Sequence, residues 1–299
     1  MAQANPTDPR RVAFQLKDGA LSALAFGDPT RPVDIVFAHA NGFNALTYRT
    51  VLAPLAERFH ILAIDQRGHG FSTLPADPRG RKSWRDLQAD LAALIDQLPG
   101  GPLILSGHSM GGAASIMAAA IRPERVKTLV LFDPVVLSLP LSLQALLPGA
   151  SPGLYQKAPI ATRALARRDV FPDREAVIAA YRGRGAFKSW PDEILRDYVT
   201  GGLRDRADGQ VELACAPAWE ASNFSAMANN IWSFAGRVRA PMTILRAEHG
   251  STCRIGDGRL FLRGNRASSV TTIDGASHFL PMERPELVRE ALSRASGAV

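Results

Sequence analysis

PLILSGHSMGGAASIMAAAI, residues 102–121, decides how the rest of the chain is read. Its first half is a short apolar run, as a buried strand requires, and its second half is a run of small residues that stops before Pro123, as a closely packed helix would. Between them Gly107-His108-Ser109-Met110-Gly111 follows the G-x-S-x-G pattern in the strand-to-helix setting that gives the pattern meaning. So tight a turn forces its central serine into a strained backbone conformation, and side chains two residues to either side would clash; Gly107 and Gly111 remove them. Ser109 is then expected to project from the strand end beside the positive N-terminus of the helix. The amide of Met110 points at the same spot and can donate to an oxyanion. A Gly-Ser turn arising by chance would lack the two flanking elements.

Outward from this turn, apolar runs alternate with helical patterns, which is the signature of βαβ units and a parallel sheet. Residues 11–28 read as a hairpin with Asp18-Gly19 supplying the turn. Buried strands are expected over 33–39 and 59–65, with a helix near 46–58 between them. Residues 83–98 carry Leu87, Leu91, Leu94, Ile95 and Leu98 at helical spacing, with Ser83 as N-cap. Further strands are expected over 127–134, 241–247 and 268–274, and a closing helix from Pro285. From Val135 to about Val238 the alternation stops, and the pattern becomes Arg-rich, helical and punctuated by proline. The economical account is an α/β core of residues 1–134 and 239–299, with a mostly parallel twisted sheet covered by helices on both faces, and a helical cap inserted at 135–238.

Composition narrows the function classes. A chain of 299 residues, 46% hydrophobic and 21% charged, can bury a large core. The net charge is +7, but the basic residues are scattered, not gathered into a stripe with interleaved aromatics, so no nucleic-acid partner is expected. Two cysteines, Cys215 and Cys253, make neither a disulfide framework nor a metal site, and a reducing compartment fits. The N-terminus lacks an apolar run of the kind that directs export, so a cytoplasmic location is expected. Residues 135–156 carry no charge, yet prolines at 140, 148 and 152 argue against a spanning helix. An apolar lid is the better reading, without stable membrane association.

Three more stretches accompany the serine turn: HANGF (39–43), DQRGHGFS (65–72) and GASHFLPMERP (275–285). Together the four resemble the α/β-hydrolase superfamily, over most of the chain outside the cap. The resemblance implies an oxyanion loop at 39–43, a structural turn at 65–72 and a catalytic histidine at His278. In that oxyanion loop Ala40 stands where glycine is usual and Gly42 where proline is common. Alignment on His39 makes Asn41 the backbone donor, while alignment on Gly42 would make it Phe43; Asn41 is favoured.

A serine needs a base of near-neutral pKa. His39, His69 and His108 sit in turns and are expected to shape loops. His60 enters a buried strand and His249 lies in a solvated loop, so His278, after the last strand, is the expected base. The acid is the harder assignment. The superfamily commonly places an Asp after the strand at 241–247, in a loop resembling G-x-x-D, but here Gly250 stands in that position. Glu248, Asp274 and Asp133 remain. Asp133 ends the strand after the serine helix, its strand end shares an edge of the sheet with Ser109, and Pro134 turns the chain outward. Some superfamily branches, including pancreatic-type lipases, draw their acid from this strand. Asp133 is favoured and Glu248 is the rival. Asp65 is expected to pair with Arg67.

The chemistry this implies is acyl transfer to Ser109 and hydrolysis of a carboxylic ester or lactone of a small to medium, largely apolar substrate, with no cofactor and no metal. The same triad could serve carbon–carbon bond hydrolysis or cofactor-free perhydrolysis, and a non-enzymatic receptor would not need an intact Ser–His pair. Phe224, Trp232 and Phe234 either line an apolar pocket or form the core of the cap. Residues 161–185 hold six Arg against three acidic residues, a solvated face or an attraction for anions. A homodimer is possible. No role can be read for residues 209–224, GQVELACAPAWEASNF.

Overall fold

The computed structural model describes residues 8–148, 150 and 157–297. Among them eight strands form one sheet in the order β1-β2-β4-β3-β5-β6-β10-β11. The strands are β1 (Arg10–Leu16), β2 (Gly19–Phe26), β3 (Ile35–Ala38), β4 (Ile61–Ile64), β5 (Leu103–His108), β6 (Val126–Phe132), β10 (Met242–His249) and β11 (Ser269–Ser277). From β4 to β11 every pairing is parallel; β2 is antiparallel to both β1 and β4. Because β5, β6, β10 and β11 are parallel neighbours, their C-terminal ends share one edge, and the loops leaving that edge can converge. The first hairpin turns on Lys17 and Asp18, with Gly19 already paired to Leu16. The Asp18-Gly19 expectation is therefore off by one residue.

The central strands are apolar on both faces, as a sheet covered on both sides demands. Val36, Ala38, Leu62, Ile64, Leu103 and Leu105 face a core completed by Leu87, Leu91 and Leu94 of the Arg85–Gln97 helix and Ile116 of the Met110–Ala119 helix. Their neighbours Ile35, Phe37, Ile61, Ala63, Ile104 and Phe132 face a second core with Tyr48, Leu52, Val288 and Leu292. The expected helix over 46–58 is broken into a 3-10 turn (Ala45–Tyr48), one α turn (Arg49–Leu52) and a second 3-10 turn (Ala53–Leu55), Pro54 having no amide hydrogen to donate. Nor does Ser83 cap the next helix, which starts at Arg85 without a side-chain cap. Its start is fixed by Trp84, whose amide donates to Asn229 Oδ1 at 2.7 Å and whose indole donates to the Asn223 carbonyl at 3.1 Å.

The segment at 135–238 contains helices at Leu139–Ala145, Pro159–Leu165, Arg174–Tyr181, Asp192–Gly202, Pro217–Ser225 and Ile231–Ala235. It is not purely helical as expected, since β7 (Val170–Phe171), β9 (Val211–Leu213) and β8 (Leu203–Asp205) form a small antiparallel sheet. Of the uncharged run 135–156, residues 149 and 151–156 lie outside the described residues. Among those described, Leu143 and Leu147 are exposed, and no helix is long and apolar enough to cross a membrane.

Arg67 does not pair with Asp65. Its guanidinium forks onto Asp90 of the Arg85–Gln97 helix at 2.8 and 2.7 Å. Asp65 instead accepts from Arg11, Ser22 and the amides of Ala45 and Phe71. Proximity in sequence misled here, because the turn aims Arg67 toward the helix and Asp65 back under Gly70. Removing one partner of a buried pair leaves an uncompensated charge, so Arg67→Met is expected to lower the unfolding free energy by about 3–5 kcal/mol in urea titration. A loss below about 1 kcal/mol would show that Asp90 does not depend on Arg67.

Candidate active site

Ser109 sits at the end of β5 with φ 56° and ψ −118°, outside the conformations that an L residue readily adopts. The strain is locked in from all sides. The Ser109 amide donates to the Phe132 carbonyl at 3.0 Å, while its carbonyl accepts from Ala113 at 3.1 Å and Val135 at 3.1 Å. A Cβ on Gly107 would lie 2.5 Å from the Gly111 carbonyl carbon, and one on Gly111 would overlap the Ala38 carbonyl. Both glycines therefore serve the close approach the sequence suggested.

Ser109 Oγ lies 3.0 Å from His278 Nε2, and His278 Nδ1 lies 2.5 Å from Asp133 Oδ2. Because a carboxylate only accepts, Nδ1 carries the hydrogen and Nε2 is left as the acceptor for the serine hydroxyl. Asp133 is fully buried and itself has a left-handed backbone, φ 41°. Its carboxylate accepts from Ser251 Oγ at 2.5 Å, from the amides of Ala247 at 3.0 Å and Thr252 at 2.9 Å, and from Thr252 Oγ1 at 3.3 Å. Burial alone would raise its pKa. The hydrogen bond and charge of His278, with the bonds from Ser251 and Thr252, outweigh burial and hold it below the usual carboxylate value.

Glu248 faces elsewhere: it accepts from the Gly275 amide at 2.7 Å and its side chain is 46% exposed. Asp274 is exposed on β11. His249, also exposed, lies 3.4 Å from Glu248. Of the three acids weighed from the sequence, Asp133 is the one brought to His278.

The oxyanion alternatives separate by which amides are already occupied. Phe43 donates to the Ala40 carbonyl at 3.1 Å and Gly42 to His69 Nε2 at 3.0 Å. Among the described residues the Asn41 amide has no such partner, and Met110, first residue of its helix, has no intrahelical acceptor.

Three buried histidines brace this region, each in a tautomer fixed by an acceptor-only partner. His108 Nε2 donates to the His278 carbonyl at 2.7 Å, leaving Nδ1 to accept from the Tyr48 hydroxyl at 2.8 Å. The Tyr48 oxygen accepts in turn from the Ala40 amide at 3.2 Å. His39 Nδ1 donates to the Ala40 carbonyl at 2.7 Å and its Nε2 accepts from the Gln66 amide at 2.9 Å. His69 Nδ1 donates to the Arg67 carbonyl at 2.9 Å. Each ring thus needs to be neutral. Burial depresses His39 to about 4 and His69 and His108 to about 3. His60 is buried as expected, its ring against the Arg31 carbonyl at 2.7 Å.

Phe234 belongs to the first core, Phe224 is half-buried, and Trp232 donates to the Leu137 carbonyl at 2.8 Å and packs edge-on against Phe261. Phe279 packs edge-on against His278 at 5.6 Å and is joined by Phe43, stacked on it at 6.3 Å, by Trp190, edge-on to Phe43 at 5.2 Å, and by Tyr198, edge-on to Phe43 at 5.7 Å. Phe279 follows His278 directly, a signal the sequence did offer. Trp190 and Tyr198 come from the 135–238 segment and carried no such signal.

Three histidines kept neutral make a linkage prediction. Their native pKa values lie below the unfolded value of 6.5, so below that pH the unfolded chain takes up protons that the native state refuses. Stability is complete above pH 6.5 and lost as pH falls toward 4, with a slope of about 1.4 kcal/mol per pH unit for each histidine. Urea midpoints measured between pH 7 and 4.5 check this, and His69→Gln is expected to flatten the slope by roughly a third. An unchanged slope in that variant would refute the neutral assignment of His69.

A model of the alpha/beta hydrolase family matches residues 35–291. A 2-(acetamidomethylene)succinate hydrolase from Mesorhizobium japonicum is 26% identical over 259 residues, covering 87% of this chain and 86% of its own length. An esterase from Mycobacterium tuberculosis is 36% identical over 131 residues, 44% of this chain and 42% of that protein. The crystal structure of E-2-(acetamidomethylene)succinate hydrolase aligns with a TM-score of 0.77 at 25% identity, across 97% of this chain and 100% of that one. With a match of that extent lying on this parallel sheet and its strand-to-helix serine turn, the chain belongs to the alpha/beta hydrolase family and is a hydrolase.

Proposed function

We propose that this hydrolase cleaves a carboxylic ester or lactone through an acyl-enzyme on Ser109. The observation that carries the reading is the continuous line from Ser109 Oγ through His278 to the buried Asp133 carboxylate, 3.0 Å and 2.5 Å between heavy atoms. His278 Nε2 takes the serine proton as Oγ attacks the carbonyl carbon, and the amides of Asn41 and Met110 donate to the oxygen that becomes negative. When the tetrahedral intermediate collapses, the same proton passes to the leaving alkoxide. Water then attacks the acyl carbon with His278 again as base, releasing the acid and restoring Ser109. Asp133 stays ionised throughout, holding the imidazole tautomer and stabilising its charged form.

In this reading residues 135–238 cap the site. Phe43, Trp190 and Phe279 supply an apolar wall beside His278, which suits a small to medium acyl or aryl group. Support for the ester class comes from the Mycobacterium tuberculosis esterase among the relatives.

A fluorophosphonate probe is expected to label wild-type protein at Ser109, read by peptide mass spectrometry, and Ser109→Ala to abolish labelling. On a p-nitrophenyl ester, Asp133→Asn is expected to lower kcat by about 10⁴-fold with the fold retained, because the neutral amide no longer fixes the imidazole tautomer. Glu248→Gln should change it by less than about twofold. Retained labelling in Ser109→Ala, or the reverse ranking of the two acid variants, would overturn the assignment.

A further inference from the structure

Residues 209–224, which the sequence left without a role, end in a helix (Pro217–Ser225) that runs directly behind the oxyanion loop. The Asn41 side chain lies between the loop and this helix. Its Nδ2 donates to the Glu220 carbonyl at 3.0 Å and its Oδ1 accepts from Asn223 Nδ2 at 2.9 Å. Asn223 Oδ1 accepts from Arg81, whose guanidinium also pairs with Asp86 at 2.8 Å and lies 3.9 Å from the Trp219 ring centre. The direction of the chain is unambiguous. Arginine can only donate and a backbone carbonyl can only accept, so both amide orientations between them are fixed.

The contacts are tight as well as directional. Asn223 is completely buried, and Asn41 is 9% exposed. The Glu220 carboxylate, paired with Arg167 at 2.5 Å, presses on the loop from the same side: a Cβ on Gly42 would lie 2.6 Å from its Oε1. The Trp219 indole donates to the Arg67 carbonyl at 2.9 Å. These groups fix the side chain of Asn41, whose backbone amide has no partner among the described residues.

We infer that Asn223 is a positioning residue for the oxyanion hole: through the Asn41 side chain, the Pro217–Ser225 helix aims the Asn41 amide at the oxygen that acquires charge. The inference rests on the serine-hydrolase reading above. A donor held in advance costs no reorganisation when charge develops, whereas a donor on a loose loop must be ordered at that moment. The contribution therefore falls on the transition state and not on substrate binding.

The test is steady-state kinetics on a p-nitrophenyl ester for Asn223→Ala, Asn41→Ala and the double variant, with melting temperatures alongside. Asn223→Ala is expected to lower kcat roughly 10- to 100-fold with KM within about threefold. Added to Asn41→Ala it should cost nothing further, since the chain it anchors is already cut. Should Asn223→Ala fail to fold, Asn41→Ala breaks the same chain from the loop side and is held to the same kcat and KM expectations. Unchanged kcat, a loss expressed in KM, or losses that multiply in the double variant would each overturn the inference. Fluorophosphonate labelling of the wild type separates the two levels. Labelling and turnover with an unaffected variant sinks the positioning role alone, while neither in the wild type sinks the hydrolase reading and this inference with it.

Discussion

The contact between Asp133 and His278 is the constraint around which the rest of the site is arranged. A carboxylate with no exposure to solvent is costly unless donors replace the lost water. Here they come from the β10 end and the loop that follows it: two amides and two hydroxyls from residues 247–252. The left-handed backbone at Asp133 turns its side chain into that set of donors, and the backbone that follows closes on Ser109 through the Val135 amide. One buried charge thus ties three loops to a common geometry: the serine turn, the exit of β6, and the exit of β10.

What was legible in the sequence was whatever depended on near neighbours along the chain. The serine turn is spelled by Gly107, Ser109 and Gly111 within five residues, and Asp133 and His278 fall at strand ends whose order the βα alternation dictates. Asp133 could be favoured over Glu248 because a strand end has a known edge. The failures are of another kind. Arg67 finds its partner 23 residues away on a helix face, Trp84 is held by residues more than a hundred positions later, and Trp190 and Tyr198 reach Phe43 from a segment with no alternation to read. Nothing in a single sequence marks such pairs, because each residue alone has an ordinary role available to it. The choice between Asn41 and Phe43 was open for a similar reason: it turns on which amides are already spent, and hydrogen bonds within a loop leave no trace in composition.

Electrostatics complete the arrangement. In the proposed mechanism His278 takes a proton, and its ring lies 5.0 Å from that of His108. A charged His108 there would oppose the step. Burial and two fixed hydrogen bonds keep it neutral, so the negative charge of Asp133 acts on His278 without a competing cation on the opposite side. The same neutrality that makes the fold sensitive to acid would leave His278 free to serve as the proposed base.

Gly250, standing where an acid is usual, has φ 65°, a turn that any other residue would make at a cost. That turn is what returns Ser251 and Thr252 toward β6. An aspartate placed at 250 would bring a Cβ to a backbone that disfavours one, and a second carboxylate to a loop whose amides already serve the first. Conversely, an asparagine at 133 would leave those donors facing a weaker acceptor. The exit of β6 and the exit of β10 therefore act as one unit around Asp133, although more than a hundred residues separate them in the chain.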